Sequence, residues 1–256
     1  MASLEMIVSN IKKFLRTDGE SIAYLREPGK SPGVIWLSGF KSDMTGTKAA
    51  HLHAWAKRRG QAFLRFDYFG HGVSSGSFKN GTIGRWRDDA LAVLDALTEG
   101  PQVLVGSSMG GWIALLAAEA RPEKVRGLLL IAPAPDFTEE LMWANMPEDI
   151  RDQIMRDGVW SRPSLYDDSP YIVTRALIED GRKHLVLGRD LTFAGPVRIL
   201  QGMKDPDVPW EHALRLMKIL PGKPVLSLSK EGDHRLSTPA DLKLLEETLD
   251  GLLAEL

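Results

Sequence analysis

The sequence contains no cysteine, and this absence removes several kinds of chemistry at once. Disulfide bonds, thiolate nucleophiles and zinc or iron–sulfur sites built on cysteine are all excluded. The chain also lacks a strong excess of charge of one sign, because 32 basic residues nearly balance 34 acidic residues and leave a net charge of −2. Such a chain has no overall positive field that would attract nucleic acid or an acidic membrane. We therefore expect no nucleic-acid partner.

Long apolar runs are missing as well. No segment reaches the roughly 20 apolar residues that a membrane-spanning helix needs, and the N-terminal region has no apolar stretch long enough for a secretion signal. Acidic residues interrupt the basic residues of this opening region, which is unusual for a mitochondrial transit peptide. We expect no transmembrane segment and a cytoplasmic location, or a mitochondrial one in a eukaryotic cell.

The 256 residues alternate between short β-branched or apolar runs and longer amphipathic stretches. This alternation predicts a mostly parallel β-sheet with helices on its faces, an α/β fold. The predicted strands are 34–37, 62–66, 103–105, 127–131, 197–200 and 225–228, with 22–25 as an antiparallel edge strand. The predicted helices with the clearest spacing are 82–97, 112–120 and 242–253.

The alternation stops between residues 136 and 193. This segment, which we call the insertion, shows short amphipathic helical patterns interrupted by proline and glycine, and no convincing strand. It is acidic, with twelve aspartates and glutamates against seven lysines and arginines. We predict a core formed by residues 1–135 and 194–256, with the insertion as a helical lid before the strand 197–200.

The most informative stretch surrounds Ser108. The apolar strand 103–105 leads into Gly106-Ser107-Ser108-Met109-Gly110 and then into a helix, which is the context of a nucleophile elbow. A serine on so sharp a turn is exposed to attack a carbonyl, and Gly106 and Gly110 let the backbone segments approach closely. The N–H of Met109, at the positive end of the following helix, is a candidate oxyanion donor. Ser107 is a second candidate nucleophile, although its position favours a local hydrogen bond.

A nucleophilic serine needs a base and a residue that orients the base. His234 follows the predicted strand 225–228 and precedes the last helix, as expected for the base in the chain order Ser, Asp, His. Two aspartates follow the strand 197–200. Asp205 fits the spacing Gly202-x-x-Asp205-x-x-Val208-Pro209 and is the predicted orienting carboxylate, with Asp207 as the alternative.

The second oxyanion donor is expected in the loop after strand 34–37. We predict the N–H of Phe40, because Gly39 allows the backbone to approach the nucleophile closely. The pair Ser38-Gly39 stands where His-Gly is usual in such enzymes.

These motifs together resemble the serine α/β-hydrolase superfamily. The segments Gly106-Ser107-Ser108-Met109-Gly110-Gly111-Trp112 and Gly202-Met203-Lys204-Asp205 are more specifically similar to α/β-hydrolase domain-containing protein ten. Further similar segments are Arg65-Phe66-Asp67-Tyr68, Gly84-Arg85-Trp86-Arg87-Asp88, Arg121-Pro122-Glu123-Lys124-Val125, Val208-Pro209-Trp210 and Asp233-His234-Arg235. The resemblance implies palmitoyl-protein thioesterase and acyl-glucuronide esterase activity, with Ser108, Asp205 and His234 as the triad and Phe40 and Met109 as oxyanion donors.

Apolar residues of the insertion are candidates for binding an acyl group. The candidates are Leu141, Met142, Trp143, Met146, Trp160, Leu165 and Tyr166, with Met142, Trp143, Met146 and Trp160 as the main ones. The same helical spacing also suits residues that only pack a helix onto its own domain, so both roles stay open.

The resulting prediction is a serine hydrolase that cleaves esters or acyl-thioesters through an acyl-enzyme on Ser108, without metal or organic cofactor. Its expected substrates are small-molecule or lipid-acyl esters and thioesters, including S-acylated proteins. A general carboxylesterase and a prolyl-type aminopeptidase with the same triad are alternatives. A catalytically silent binding module is a further alternative from another class. The oligomeric state stays open.

Overall fold

The computed structural model describes residues 11–162 and 170–256. Within these ranges eight strands form one sheet in the order β1-β2-β4-β3-β5-β6-β9-β10. The strands of this sheet are β1 (Lys12–Leu15), β2 (Ser21–Glu27), β3 (Lys30–Leu37), β4 (Gln61–Phe66), β5 (Gln102–Ser107), β6 (Val125–Ile131), β9 (Val197–Gly202) and β10 (Val225–Ser229). Each of the seven predicted strands lies within one of these.

The directions of the strands agree with the prediction, but the predicted edge strand does not lie at the edge. The neighbours β4, β3, β5, β6, β9 and β10 pair in parallel, whereas β2 is antiparallel to both β1 and β4. The segment 22–25 is therefore antiparallel as predicted, but it is not the edge strand. That position belongs to β1, whose sequence Lys-Lys-Phe-Leu is short and mostly exposed and gives no clear strand pattern.

Helices cover both faces of the sheet. They are α1 (Thr47–Arg59), α2 (Ile83–Leu97), α3 (Met109–Ala120), α4 (Glu148–Asp157), α5 (Arg175–Gly181), α6 (Trp210–Ile219) and α7 (Pro239–Ala254). One apolar core joins α2, α3 and α6 to the sheet, and a second joins α1 and α7 to it. Successive residues of β3 alternate between them, with Val34 and Trp36 in the second core and Ile35 and Leu37 in the first.

Local sequence signals fix several helix ends. Thr82 accepts a hydrogen bond from the N–H of Arg85 at the start of α2. Thr238 and Asp241 form a reciprocal capping box at the start of α7, satisfying backbone donors that have no acceptor within the helix. Among the described residues, no helix combines the length and apolar character that crossing a membrane requires.

The insertion lies between β6 and β9 and is not purely helical. It contains a π-helical turn (Thr138–Met142), a 3-10 turn (Trp143–Asn145), α4, α5 and a second 3-10 turn (Arg182–His184). It also contains an antiparallel pair of strands, β7 (Val159–Arg162) and β8 (Tyr171–Thr174), which the sequence analysis did not predict. Four-residue strands are too short to show a clear alternation, so the expectation of helices alone was wrong here.

The insertion has a small core of its own and a pinned base. Ile154, Val173 and Ile178 are buried together within it. At its start the Asp136 carboxylate accepts hydrogen bonds from the N–H groups of Val186 and Leu187, each at 2.8 Å from its nearer oxygen. Burial raises the pKa of Asp136, against the lowering effect of these two N–H donors.

Candidate active site

Ser108 occupies the sharp turn between β5 and α3. Its backbone φ is +55°, a left-handed value that is uncommon for a residue with a side chain. The turn is possible because the neighbouring chain segments come very close: a Cβ on Gly106 would collide with the backbone of Gly110, and a Cβ on Gly110 would collide with the backbone of Leu37. The predicted nucleophile elbow is therefore present in the structure. Ser107, the alternative nucleophile, is buried.

Three side chains predicted to act together lie within hydrogen-bond distance of one another. His234 Nε2 is 3.1 Å from the Oγ of Ser108, and His234 Nδ1 is 2.8 Å from Oδ2 of Asp205. Each residue follows a different parallel strand, Ser108 after β5, Asp205 after β9 and His234 after β10. The carboxyl ends of these strands meet at one edge of the sheet, and this common edge brings together residues up to 126 positions apart.

Asp205 sits in a site that suits a carboxylate anion. Its Oδ1 accepts hydrogen bonds from the backbone N–H groups of Asp207 at 2.9 Å and Val208 at 2.8 Å. Its Oδ2 accepts a hydrogen bond from Gln201 Nε2 at 3.1 Å in addition to its contact with His234. The Asp205 side chain is 0% exposed while that of His234 is 23% exposed, so the imidazole but not the carboxylate is accessible to a substrate. Asp207 contributes its backbone, and Asp205 is the carboxylate that meets the histidine.

The loop after β3 passes close to the serine. A Cβ on Gly39 would lie 3.4 Å from both the Ser108 Cβ and the Ser107 carbonyl oxygen, which is ordinary contact distance. Ser38 is buried, accepts a hydrogen bond from Trp36 Nε1 at 3.0 Å and donates one to the carbonyl of Asp43 at 3.2 Å. The residue that replaces the usual histidine thus holds the loop in shape.

A buried charged pair supports the far end of this loop. Asp67 accepts a hydrogen bond from the N–H of Met44 at 2.7 Å, and Arg65 donates to the Met44 carbonyl at 2.8 Å. Burial raises the pKa of Asp67 to about 6, although its hydrogen bonds with the N–H groups of Val73 and Met44 oppose the shift. The loop that carries Phe40 is therefore anchored at both ends to the sheet.

The two predicted oxyanion donors belong to Met109, which follows Ser108, and to Phe40, which follows Gly39. Met109 is the first residue of α3, so its N–H has no acceptor within the helix and lies at the positive end of the helix dipole. Phe40 lies one residue beyond Gly39, and its ring contacts Phe78, Phe137 and Tyr171 at centroid distances of 4.9, 5.5 and 5.4 Å. This aromatic packing holds the Phe40 side chain in place and so restrains the loop that carries it.

A cleft of about 750 Å³ contains Ser108 and His234 in its wall. Its apolar wall comes mainly from the insertion and includes Leu141, Met142, Met146, Ile150, Trp160, Tyr171 and Val173. The polar part of the lining includes Lys41, Asp43, Lys48, Asp207, Asp233 and Arg235. The cleft therefore offers both apolar and polar surface to a substrate.

Three of the four main acyl-binding candidates line this cleft, namely Met142, Met146 and Trp160. Trp143 does not, and its assignment to the cleft was wrong. Its ring packs instead beneath the guanidinium groups of Arg151 and Arg182, at 5.6 and 4.9 Å from the ring centroid. Leu165 and Tyr166 lie outside the described residues.

The comparison with protein-family models gives a match to the α/β hydrolase family over residues 33–242. The chain is a member of this family. The matched range includes Ser108, Asp205 and His234, and the predictions of the fold, the family and a hydrolase are confirmed.

Individual relatives of this α/β hydrolase agree. The human mitochondrial palmitoyl-protein thioesterase ABHD10 is 40% identical over 243 residues, which is 94% of this chain and 79% of the human protein. The structure of mouse α/β hydrolase domain-containing protein 10 is 39% identical and has a TM-score of 0.89, with 96% of this chain and 98% of the mouse chain covered. A hydrolase structure from Agrobacterium vitis S4 is 43% identical with a TM-score of 0.90, covering 95% and 99% of the two chains.

Two other histidines of this α/β hydrolase, His71 and His212, are buried and do not line the cleft. Burial lowers the pKa of His71 to about 4, and its ring packs edge-on to Phe78 and Trp86. His212 is buried with Nε2 2.6 Å from the carbonyl oxygen of Pro135. Of the histidines in the described ranges, His234 is the one that lines the cleft.

One group of residues in the site has the composition of a metal-binding cluster. Ligand atoms of Asp205, Asp207 and His234 lie within 4.8 Å of one another. However, Asp205 already accepts hydrogen bonds at both oxygens, one of them in the contact with His234 Nδ1. The donor set is thus arranged as a hydrogen-bonded chain, and we assign no metal to it.

Two residues of the site had no signal in the sequence. Gln201 reaches Asp205 from the end of β9, and Lys48 reaches the backbone next to His234 from α1. A glutamine at a strand end and a lysine at a helix start are common features, and only the fold brings them to the site.

Proposed function

We propose that this protein hydrolyses carboxylic esters and acyl-thioesters through an acyl-enzyme formed on Ser108. The single observation that carries the proposal is the hydrogen-bonded chain from Ser108 Oγ through His234 to Asp205, at 3.1 and 2.8 Å. Such a chain makes a serine nucleophilic near neutral pH, because the histidine accepts the hydroxyl proton and the aspartate stabilises the imidazolium that results. The same chain argues against a catalytically silent binding module.

The reaction has two halves. Ser108 Oγ attacks the acyl carbonyl carbon while His234 Nε2 takes the hydroxyl proton, and that proton then passes to the departing alcohol or thiol as its bond to the carbonyl breaks. The acyl group is left on Ser108. In the second half a water molecule attacks the acyl carbonyl carbon while His234 Nε2 takes a proton from the water. The bond between the acyl carbon and Ser108 Oγ then breaks, the proton passes from His234 to Oγ, and the carboxylic acid leaves.

The N–H groups of Met109 and Phe40 stabilise the negative oxygen of each tetrahedral intermediate. Removing one such donor from a serine hydrolase raises the activation free energy by about 3 kcal/mol. The anchored loop after β3 and the first turn of α3 hold these donors in place before the substrate arrives, so little reorganisation is needed during the reaction.

The insertion, residues 136–193, acts as the lid over the acyl group. Met142, Met146 and Trp160 face the cleft from this segment and offer flexible or aromatic apolar surface to an alkyl chain. The polar residues of the cleft lining receive the leaving group. This division suits S-acylated proteins and acyl-glucuronides, in which an apolar acyl chain is joined to a polar partner, and the name of the human relative, a palmitoyl-protein thioesterase, supports the first of these.

The relatives' names bear on location too. The mammalian proteins are named mitochondrial, which favours the mitochondrial alternative where the source cell is eukaryotic. The cytoplasmic location expected from the sequence stays a prediction, and fractionation of the source cells with an antibody to this chain tests it.

A fluorophosphonate probe and an acyl panel test the proposed activity. We expect the probe to label the wild-type protein and not Ser108→Ala, with matching circular dichroism spectra for the two. The panel compares p-nitrophenyl esters, acyl-thioesters and aminoacyl amides of graded chain length. Turnover of esters and thioesters but not of amides supports the proposal. Amide turnover indicates the aminopeptidase alternative, and an unlabelled wild type rules out the serine mechanism.

A further inference from the structure

Gln201 lies beneath the candidate active site and is fully buried. It is the second-last residue of β9, four positions before Asp205. Its side-chain Nε2 is 3.1 Å from Asp205 Oδ2, 3.2 Å from the carbonyl oxygen of Val208 and 3.1 Å from that of Gly202. All three neighbours are acceptors, which fixes the orientation of the amide with its NH₂ group toward Asp205.

The other end of the same amide is left without a partner. Gln201 Oε1 is buried and accepts no hydrogen bond among the described residues. An unsatisfied buried carbonyl is unfavourable, so a glutamine whose only role was to fill the core would be replaceable at little cost by an apolar residue of similar size. The contacts of Nε2 are therefore the feature of this residue that needs an explanation.

We propose that Gln201 is a positioning residue, whose NH₂ group holds Asp205 Oδ2 and limits how strongly that oxygen binds the His234 imidazolium. This inference rests on the proposed hydrolase function and adds a residue to it. Gln201 touches neither the substrate nor the reacting atoms. It acts through Asp205 in two ways. Its NH₂ group links the end of β9 to the carbonyl of Val208, near the end of the loop that carries Asp205. It also donates to the carboxylate oxygen that the histidine contacts.

The hydrogen bond from Gln201 to Asp205 Oδ2 affects the His234 imidazolium in a definite direction. A donor on a carboxylate oxygen withdraws negative charge from it, so the oxygen stabilises a second, positively charged donor less well. Without the Gln201 donor, Asp205 stabilises the imidazolium form of His234 more strongly. The histidine then keeps its proton to a higher pH and is available as a base only above that pH. The acidic limb of the pH–rate profile therefore moves upward.

Other charged groups surround this pair and stay in place when Gln201 is changed. Asp233 and Arg235 flank His234 in sequence, Asp207 lies across from it, and Lys48 approaches from α1. Lys41 and Asp43 line the cleft nearby. Replacing Gln201 by a neutral residue leaves all of these charges unchanged. A shift in the pH profile therefore reports the loss of the Gln201 hydrogen bond.

The variant Gln201→Met tests the inference against a matched control. Methionine fills nearly the same volume, has no donor and removes the unsatisfied Oε1. The control is Gln61→Met, at the start of β4, where an equally buried amide donates to the carbonyls of Lys30 at 2.9 Å and Pro32 at 2.5 Å. Gln61 is the first residue of β4, so it lies at the amino ends of the parallel strands and away from the carboxyl ends that carry the candidate site. The readout is kcat/KM for one ester between pH 5 and 9.

We expect the midpoint of the acidic limb to rise by about half a pH unit to one unit in Gln201→Met and to stay within 0.2 unit, roughly the precision of such a profile, in Gln61→Met. An unchanged or lowered midpoint in Gln201→Met, or an equal rise in the control, overturns the inference. A wild type without turnover, or a Ser108→Ala variant with undiminished turnover, contradicts the proposed function instead, so the two failures are distinguishable.

A second measurement needs no substitution and no turnover. In ¹⁵N-labelled wild-type protein the side-chain NH₂ resonances of Gln201 should move with pH at the same midpoint as the ring resonances of His234, because both groups share Asp205 Oδ2. Resonances of Gln61 serve as the internal control and should not move at that midpoint. Gln201 resonances that stay fixed while His234 titrates overturn the inference even where Gln201→Met fails to fold.

Discussion

Lys48 donates a hydrogen bond to the backbone carbonyl of Arg235, the residue that follows His234. This contact ties the first turn of α1 to the loop that carries the proposed catalytic base. The lysine is half-buried in this contact, and desolvation lowers its pKa to about 8, while the nearby Asp233 carboxylate opposes the shift.

The charge of Lys48 predicts a pH dependence of stability. In the unfolded chain a lysine keeps its proton to about pH 10.4, whereas here it releases it near pH 8. Between these values the unfolded state binds more protons, so this group raises the free energy of unfolding as pH rises. From pH 7.5 to 9.5 the expected gain is about 2 kcal/mol. Urea unfolding of wild type and Lys48→Met at both pH values measures it, and equal changes in the two proteins would contradict the prediction.

The two neighbouring aspartates after β9 should differ sharply in their effect on catalysis. Asp205→Asn removes the carboxylate that orients and stabilises His234, and we expect kcat to fall about 10³- to 10⁴-fold. Asp207→Asn keeps the backbone N–H that Asp205 uses and changes an exposed side chain, so kcat should stay within about threefold. Steady-state kinetics on one ester compares them. Similar losses in both variants would mean that the assignment of the carboxylate is wrong.

The two tryptophans of the insertion provide a test of the acyl-binding wall. Trp160→Ala removes apolar surface from the cleft, and we expect kcat/KM for long-chain esters to fall about tenfold relative to acetyl esters. Trp143→Ala removes a ring of the same size that packs under two arginines outside the cleft. That variant should lose stability without changing the ratio of long-chain to acetyl turnover. A preference for chain length that is the same in all three proteins counts against the proposed role of the wall.

The close approach of chain segments at the serine turn predicts an intolerant glycine. In Gly110→Ala the new Cβ meets the backbone of Leu37, which cannot move without disturbing β3, and we expect a loss of stability of more than about 3 kcal/mol. The same change at Gly251, on the exposed face of α7 with no atom within 4 Å of the new Cβ, should stabilise the protein by about 0.5 to 1 kcal/mol. Thermal unfolding of both variants and of the wild type measures these two changes in stability. A Gly110→Ala protein as stable as wild type would show that the turn relaxes.

Much of the fold was predictable because buried parallel strands and long amphipathic helices have strong patterns. The runs 103–105 and 127–131 are apolar on both faces of the sheet, and such runs are hard to confuse with loops. The weak strands were missed for the opposite reason. β1, β7 and β8 are each four residues long, which is too short for the alternation of a strand to stand out from its surroundings.

The candidate site was predictable to the extent that its chemistry depends on local motifs. The turn around Ser108 and the spacing from Gly202 to Asp205 are encoded in a few consecutive residues. The lining of the cleft is not, because Trp143 and Trp160 have the same residue type and only the path of the chain decides which of them faces the cleft. Gln201 and Lys48 act through contacts across the fold, which a single sequence does not show.

The pinning of Val186 and Leu187 to Asp136 has a consequence for how this enzyme could be altered. The chain leaves the sheet after β6 and rejoins it at β9, and the 49 residues between Asp136 and Val186 are closed off by this carboxylate and by the ion pair of Glu139 with Arg182. Such a segment can be exchanged for that of a relative as one cassette, with both junctions kept, while the hydrolytic residues stay in the recipient. Selectivity for the acyl chain would then travel with the transplanted piece, and the chemistry would not.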